Sequence, residues 1–452
     1  MSVFRGTLVD TPSPGELRIR RDHVISVDTH GVITHLSPAS STPSDLVAQA
    51  IPLTERGFLL PTFADLHLHA PQYLNAGIGL DLPLMEWLDE YTYVAEERVD
   101  ADPELARRLY ARLVERLIEA GTGCVVAFGT IGVQANLILA QAFQDAGVRG
   151  FIGKLSMDQC PRPTYGEPST AASLASVTEF LDRMDSLTGP LPPHQRVVAP
   201  ILTPRFVPTC SDELLRGLAA LAKARGVKVQ SHMCESRDQM AWVEGTRGKA
   251  DEVVFDEAGL LTEDTVQAHV TSFPPALVEL VKTRGVTVAH CPLSNAYFSD
   301  AAFPLREAID AGVKVGLGSD IAGGYALPIQ TAMRQAVVVG RMREGARREA
   351  GGEQPHDGRG LKVDWVESLY LATRGGHAAL GLGGAFEVGL PFDAQEITLV
   401  RGTRAVGQLD IFDLADTDKW WTEAVERWWC NGDHQNRTGM WVQGKRLLKQ
   451  SA

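Results

Sequence analysis

No two cysteines of this chain are spaced as C-x-x-C, and six in 452 residues give neither a disulfide framework nor a thiolate metal knuckle. The thiols at positions 124, 160, 210, 234, 291 and 430 are expected to be free, in a reducing compartment. Basic charge is scarce as well: 43 Lys and Arg stand against 56 Asp and Glu, a net of −13. That balance argues against a general nucleic-acid binder, which needs a cationic surface to displace counterions. No uncharged apolar run is long enough to span a bilayer, and Met1-Ser2-Val3-Phe4-Arg5 has no signal-peptide core. The expectation is a soluble, cytoplasmic protein with neither membrane nor nucleic acid as partner. With 44% hydrophobic and 22% charged residues the chain is of ordinary globular composition, and it is long enough to bury a large core.

Up to about residue 57 the chain reads as short strands cut by turn formers, such as Ser13-Pro14-Gly15 and Asp28-Thr29-His30-Gly31. Apolar runs then recur at 58–63, 124–128, 150–155, 196–202, 227–231, 265–268, 286–289 and 313–317, with helical patterns between them. In 103–120, for example, Leu105, Leu109, Leu113 and Leu117 fall at four-residue intervals. Runs that are apolar throughout suit parallel strands covered on both faces. Their alternation with helices predicts an α/β fold, a closed (β/α)8 TIM-like barrel. Strand-like runs return at 397–400 and 440–442. The expected organisation is therefore residues 1–57 as the N-terminal part of a small β domain, 58–385 as the barrel, and 386–452 as the return to that domain. The small domain is then discontinuous and β-sandwich-like, built from both termini. Residues 71–100, rich in aromatic and acidic side chains, are expected to form a lid or rim, or to pack on the outer helices. Residues 349–360, charged and glycine-rich, are expected to be an exposed loop.

Of twelve histidines, seven (His23, His30, His35, His194, His356, His377 and His434) read as surface groups or satisfied core groups. The other five, His67, His69, His232, His269 and His290, close strand-like runs, and Asp320 closes the eighth run. A barrel builds its active site at those carboxyl ends. Strand alternation puts His67 and His69 on one inward face with Asp65, and imidazoles at that spacing can grip a divalent ion. A nitrogen and oxygen donor set suits zinc, with iron or manganese as alternatives. With His67, His69, His232 and Asp320 as ligands, His269 is left to orient a water that the ion acidifies. Asp320 can touch the metal and take the water's proton. Glu235, three residues after His232, can pass a proton to a ring nitrogen and then to a leaving amine. The fourth run ends Leu202-Thr203-Pro204-Arg205, without a lysine to bridge two metals, so one ion per chain is expected. Cys234 reads as a packing residue.

Longer strings narrow the reading. Pro61-Thr62-Phe63-Ala64-Asp65-Leu66-His67-Leu68-His69-Ala70-Pro71-Gln72-Tyr73 and Asp81-Leu82-Pro83-Leu84-Met85-Glu86-Trp87-Leu88 resemble the guanine deaminases, in the mononuclear branch of the amidohydrolase superfamily. So do Thr203-Pro204-Arg205-Phe206, Gln230-Ser231-His232-Met233-Cys234-Glu235-Ser236-Arg237, Ala289-His290-Cys291-Pro292-Leu293-Ser294-Asn295 and Gly318-Ser319-Asp320-Ile321-Ala322-Gly323-Gly324. The resemblance runs from about residue 55 to about 340, with weaker echoes at Phe386-Glu387-Val388-Gly389 and Val442-Gln443-Gly444-Lys445. It implies hydrolysis of guanine to xanthine and ammonia by a zinc enzyme, usually a homodimer. It implies zinc ligation by His67, His69, His232 and Asp320, water orientation by His269, and proton shuttling by Glu235 and Asp320. It also implies that Gln72, Arg205, Phe206 and His232 bind the substrate, with the arginine directed at the O6 side. A fixed cation there would reject adenine, which presents an amine at that position. Sister deaminases of 8-oxoguanine, a pterin or a triazine share the metal pattern, and Gln72 with Arg205-Phe206 favours guanine among them. The tryptophan-rich stretch 392–429 departs from the family's usual end, where a strand is expected that only 409–414 would supply.

Overall fold

The computed structural model describes residues 1–299, 301–352 and 358–448. Residues 353–357 of the expected 349–360 loop, His356 among them, lie outside the described residues. Parallel strands form the barrel in sequence order: Phe63–His69, Thr122–Phe128, Arg149–Gly153, Val198–Pro200, Val229–Met233, Thr265–His269, Thr287–His290 and Lys314–Leu317. A parallel bridge between Leu202 and Val229 joins the fourth strand to the fifth. The ring closes where Asp320 N donates to His67 O and His69 N donates to Ile321 O, each at 2.8 Å. Val125, Val126, Ala127 and Phe128 on the second strand have no solvent exposure. Both faces of these strands are covered, which is why their sequences do not alternate.

The outer helices form where period and caps agree. In helix Pro103–Ala120, Asp102 accepts from Glu104 N and Leu105 N, both at 3.0 Å, and Gly121 ends the helix at φ 78°. Leu109, Leu113 and Leu117 face the barrel. Among the described residues, no helix is long and apolar enough to cross a membrane.

A second sheet, of eight strands, draws on both termini. Its central order sets Ser2–Asp10 beside Gly57–Pro61, then Ala394–Thr398 and Arg437–Val442. The run expected as the first barrel strand, 58–63, is therefore divided. Gly57–Pro61 pairs antiparallel with Ala394–Thr398 in this outer sheet, and the barrel strand starts at Phe63. Both halves are apolar and buried, so hydrophobicity could not separate them. No strand lies at 409–414; Ala394–Thr398 supplies the expected C-terminal strand. The tryptophans belong to helix Asp418–Asn431, which buries Trp420, Trp421, Trp428 and Trp429. Trp428 meets Phe58 of the outer sheet edge-on at 5.6 Å and stacks with Phe63 of the barrel at 6.4 Å. That helix bolts the two layers together.

The 71–100 segment forms a wall. Trp87, Leu88, Tyr93 and Val99 join the main core. Arg162 holds it from outside, donating to Glu97 at 2.9 Å and to Asp89 at 3.1 Å.

Candidate active site

The strand ends bring His67, His69 and His232 together, with ligand atoms within 4.8 Å of one another. His69 Nε2 faces His232 Nε2 at 3.0 Å, and His67 Nε2 lies 3.2 Å from Asp320 Oδ1. His69 Nε2 is 3.7 Å from the same oxygen. His232 Nδ1 meets the carbonyl of Arg205 at 2.6 Å. A carbonyl only accepts, so Nδ1 carries the proton and Nε2 presents a lone pair to the cluster. Burial, reinforced by neighbouring positive groups, holds all three imidazoles well below the usual histidine range, so they are neutral. His67 Nε2 has no hydrogen-bond partner among the described residues. Bare ring nitrogens converging on a buried carboxylate are costly unless a cation lies between them. The donor set fits one divalent ion. A second trio, His67, Cys291 and Asp320, overlaps the first. Burial pushes the Cys291 thiol well up, and its Sγ donates to Ala289 O at 3.5 Å, so it is a protonated thiol and the weaker ligand.

The backbone around this cluster is held in uncommon conformations. Cys234, His269 and Asp320, at the ends of the fifth, sixth and eighth strands, have φ of 50°, 72° and 51°. Non-glycine residues adopt that region at a cost, and sites of function are where surrounding structure sustains it. Gly318 is required by close approach: a Cβ there would meet His67 Cβ at 2.8 Å and Cys291 Sγ at 2.7 Å. Gly318→Ala is expected to displace His67 and lower turnover about 100-fold, with bound metal reduced in elemental analysis. Unchanged metal content and activity would show that the strand yields without disturbing the cluster.

His269 Nδ1 lies 2.9 Å from Asn295 Oδ1, which leaves His269 Nε2 as an acceptor with no hydrogen-bond partner among the described residues, 3.6 Å from Glu235 Oε1 and 3.9 Å from Asp320 Oδ2. Burial first, then the Asp320 carboxylate, push the Glu235 carboxyl up to about 8, so it holds a proton at neutral pH. Burial raises Asp320 as well. His290, the remaining strand-end histidine, stands outside the cluster with its ring 5.2 Å from that of Phe303. Asp65 accepts from Ser319 N at 3.0 Å and His67 N at 3.2 Å, lashing the first strand to the eighth. Cys234 is buried and its amide donates to Asp251 at 2.7 Å.

Gln72, Arg205, Phe206, His232, Glu235 and Asp320 line one cavity, together with His69. Leu84, Trp87, Leu88 and Phe298 give it apolar walls. A slot with apolar faces and a few convergent polar groups suits a flat heterocycle read along its edges. Sequence reasoning missed Phe298 and Asn295 as parts of the site, although Asn295 ends a string that contains His290. It also missed Glu96, which accepts from both Gln72 and Arg205 and stands in no motif.

Residues 58–433 match the amidohydrolase family. Guanine deaminase of Dictyostelium discoideum is 31% identical over 99% of this chain and 98% of its own length. Guanine deaminase of Homo sapiens is 34% identical over 99% of this chain and 96% of its own. Among solved structures, guanine deaminase from C. acetobutylicum with guanine bound in its active site aligns at a TM-score of 0.86 and 29% identity, over 99% of this chain and 100% of that one. With likeness over nearly the whole length, on a barrel whose strand ends gather this cluster, the chain belongs to the guanine deaminase family of amidohydrolases.

Proposed function

We propose that this protein hydrolyses guanine to xanthine and ammonia, with one zinc ion per chain held by His67, His69, His232 and Asp320. The observation that carries the reading is that His69, His232 and Asp320 of the metal cluster line the same cavity as Gln72, Arg205 and Phe206. Metal ligands and base-reading groups thus share one space.

When bound, the ion supplies Lewis-acid chemistry that eases loss of a proton from water in the site. Asp320 accepts that proton. His269, its Nδ1–H committed to Asn295, offers Nε2 as the acceptor that aims the water. As the water oxygen bonds to C2, Glu235 gives its proton to N3, which offsets the loss of aromaticity at the attacked carbon. The proton on Asp320 then passes through Glu235 to the exocyclic amine, the C2–N bond breaks, ammonia leaves, and the C2 hydroxyl proton returns to Glu235 as the carbonyl of xanthine forms. Arg205 reads the O6 side, and Phe206 packs on the base. We take the functional form to be a cytoplasmic homodimer whose partner is the free base.

Zinc-loaded protein is expected to release ammonia rapidly from guanine and slowly or not at all from adenine and 8-oxoguanine. No guanine turnover at one zinc per chain would overturn the substrate and move the search to pterins and triazines. Stripping the metal with dipicolinate is expected to lower turnover at least about 1,000-fold, with one equivalent of zinc restoring it. Full activity at less than a tenth of an equivalent of bound metal would refute the metal requirement.

A further inference from the structure

Glu96 lies on helix Tyr93–Ala101, is 0% exposed, and is not among the residues lining the cavity. Its two carboxylate oxygens are divided between the two polar groups proposed to read the base. Oε1 accepts from Gln72 Nε2 at 2.9 Å, and Oε2 accepts from Arg205 Nη1 at 2.7 Å. One helical turn back, the Tyr93 ring lies under the Arg205 guanidinium at 5.0 Å.

Two consequences follow from donor and acceptor chemistry alone. A carboxylate cannot donate, so Gln72 must turn its NH₂ toward Glu96. Its carbonyl then faces the other way, where it accepts from Ala322 N at 3.3 Å. The amide is fixed from both ends and shows the cavity a single pattern. The Arg205 cation, meanwhile, is neutralised where it is buried, so a neutral base meets directed donors and no unbalanced charge.

We infer that Glu96 is a positioning residue for specificity: by gripping Gln72 and Arg205 at once, it sets the hydrogen-bond pattern that the pocket presents to the heterocycle. The inference rests on the guanine reading only for the identity of the ligand.

Glu96→Gln tests it, because glutamine keeps the shape and can accept at one end only. If that end serves Arg205, its NH₂ meets the NH₂ of Gln72. Gln72 must then turn over and set its own NH₂ against the Ala322 N–H. The expected result is a KM for guanine raised about 30-fold with kcat within about threefold, the signature of lost binding that leaves the chemical step intact. Discrimination between guanine and 8-oxoguanine should narrow at the same time. In a Gln72→Ala background the same change should raise KM only about fivefold, because half of what Glu96 holds is gone. Glu96→Asp keeps the charge and shortens the reach by one methylene; it should show the same split should the glutamine variant not fold. A purely structural role predicts something else. There kcat would fall for every substrate in step with Tm, or the KM effects of the Gln72 and Glu96 changes would simply multiply, and either result would overturn the inference. All variants are assayed on guanine, 8-oxoguanine, a pterin and a triazine, so a wild type active on another base sinks the guanine reading while the KM split is read on that base.

Discussion

Glu235→Gln is expected to lower kcat for guanine about 10³- to 10⁴-fold while leaving one zinc bound per chain. Glutamine matches glutamate in size and can still hydrogen-bond, but it cannot carry a proton from solvent or Asp320 to N3 and then to the amine. The position itself should survive the change. Ser236 caps helix Arg237–Arg247 by accepting from Gln239 N at 3.2 Å, and Gln239 Oε1 accepts from Glu235 N at 3.2 Å. Gln239 is held in turn by Asp251 at 3.0 Å. Backbone placement therefore does not depend on the side chain being replaced. KM should change little, because the loss falls on a transfer made in the transition state. Steady-state ammonia release, with zinc measured on the same sample, checks it. A fall in kcat of less than tenfold would remove Glu235 as the shuttle.

Arg205→Ala should be the most damaging single change in the pocket, because it acts on stability and on recognition together. Arg205 and Glu96 are paired at 2.7 Å with side-chain exposures of 3% and 0%. Removing the cation strands a buried carboxylate, at an expected cost of about 3–5 kcal/mol in unfolding free energy. Guanine should also lose the partner proposed for its O6, with kcat/KM down about 1,000-fold beyond any loss of folded protein. Arg205→Lys separates the two effects. A lysine can neutralise Glu96 but cannot fork toward Glu96 and a base together, so most of the stability should return and KM should stay high. Denaturant unfolding gives the first quantity and initial rates give the second. Wild-type kcat/KM in Arg205→Lys would show that a point charge suffices and that the guanidinium has no special task.

The gathering of the histidines could be read from the sequence because these groups end strands, and a closed parallel barrel gathers strand ends at one rim. Periodicity and topology placed His67, His69, His232, His269, His290 and Asp320 there; which of them hold an ion is not written in that pattern. Glu96 could not be read that way. It stands in Ala95-Glu96-Glu97-Arg98, which looks like a solvated helix face, and its partner Arg205 is 109 residues away. Burial of a charge is decided by such distant pairings, which periodicity does not encode. The same limit divided residues 58–63. Apolarity announced a strand, yet whether Gly57–Pro61 belongs to the barrel or the outer sheet depends on Ala394–Thr398, far along the chain. Helix Asp418–Asn431 was legible in principle, since Trp421, Val425 and Trp428 share one face at helical spacing. Its scattered charges drew attention to polarity instead.

Because Gly57–Pro61 has Ser2–Asp10 on one side but finds its other neighbour in Ala394–Thr398, with Gln395 bonded to Pro61 across 334 positions, a chain emerging from the ribosome carries an open strand edge while most of the barrel is still being made. At elongation rates of about 5–20 residues per second, that edge stays unprotected for roughly 20–70 seconds. Gly57–Pro61 itself, Gly-Phe-Leu-Leu-Pro, carries no charge to blunt that edge, so until Ala394–Thr398 arrives it is the part of the nascent chain most exposed to joining another edge to edge.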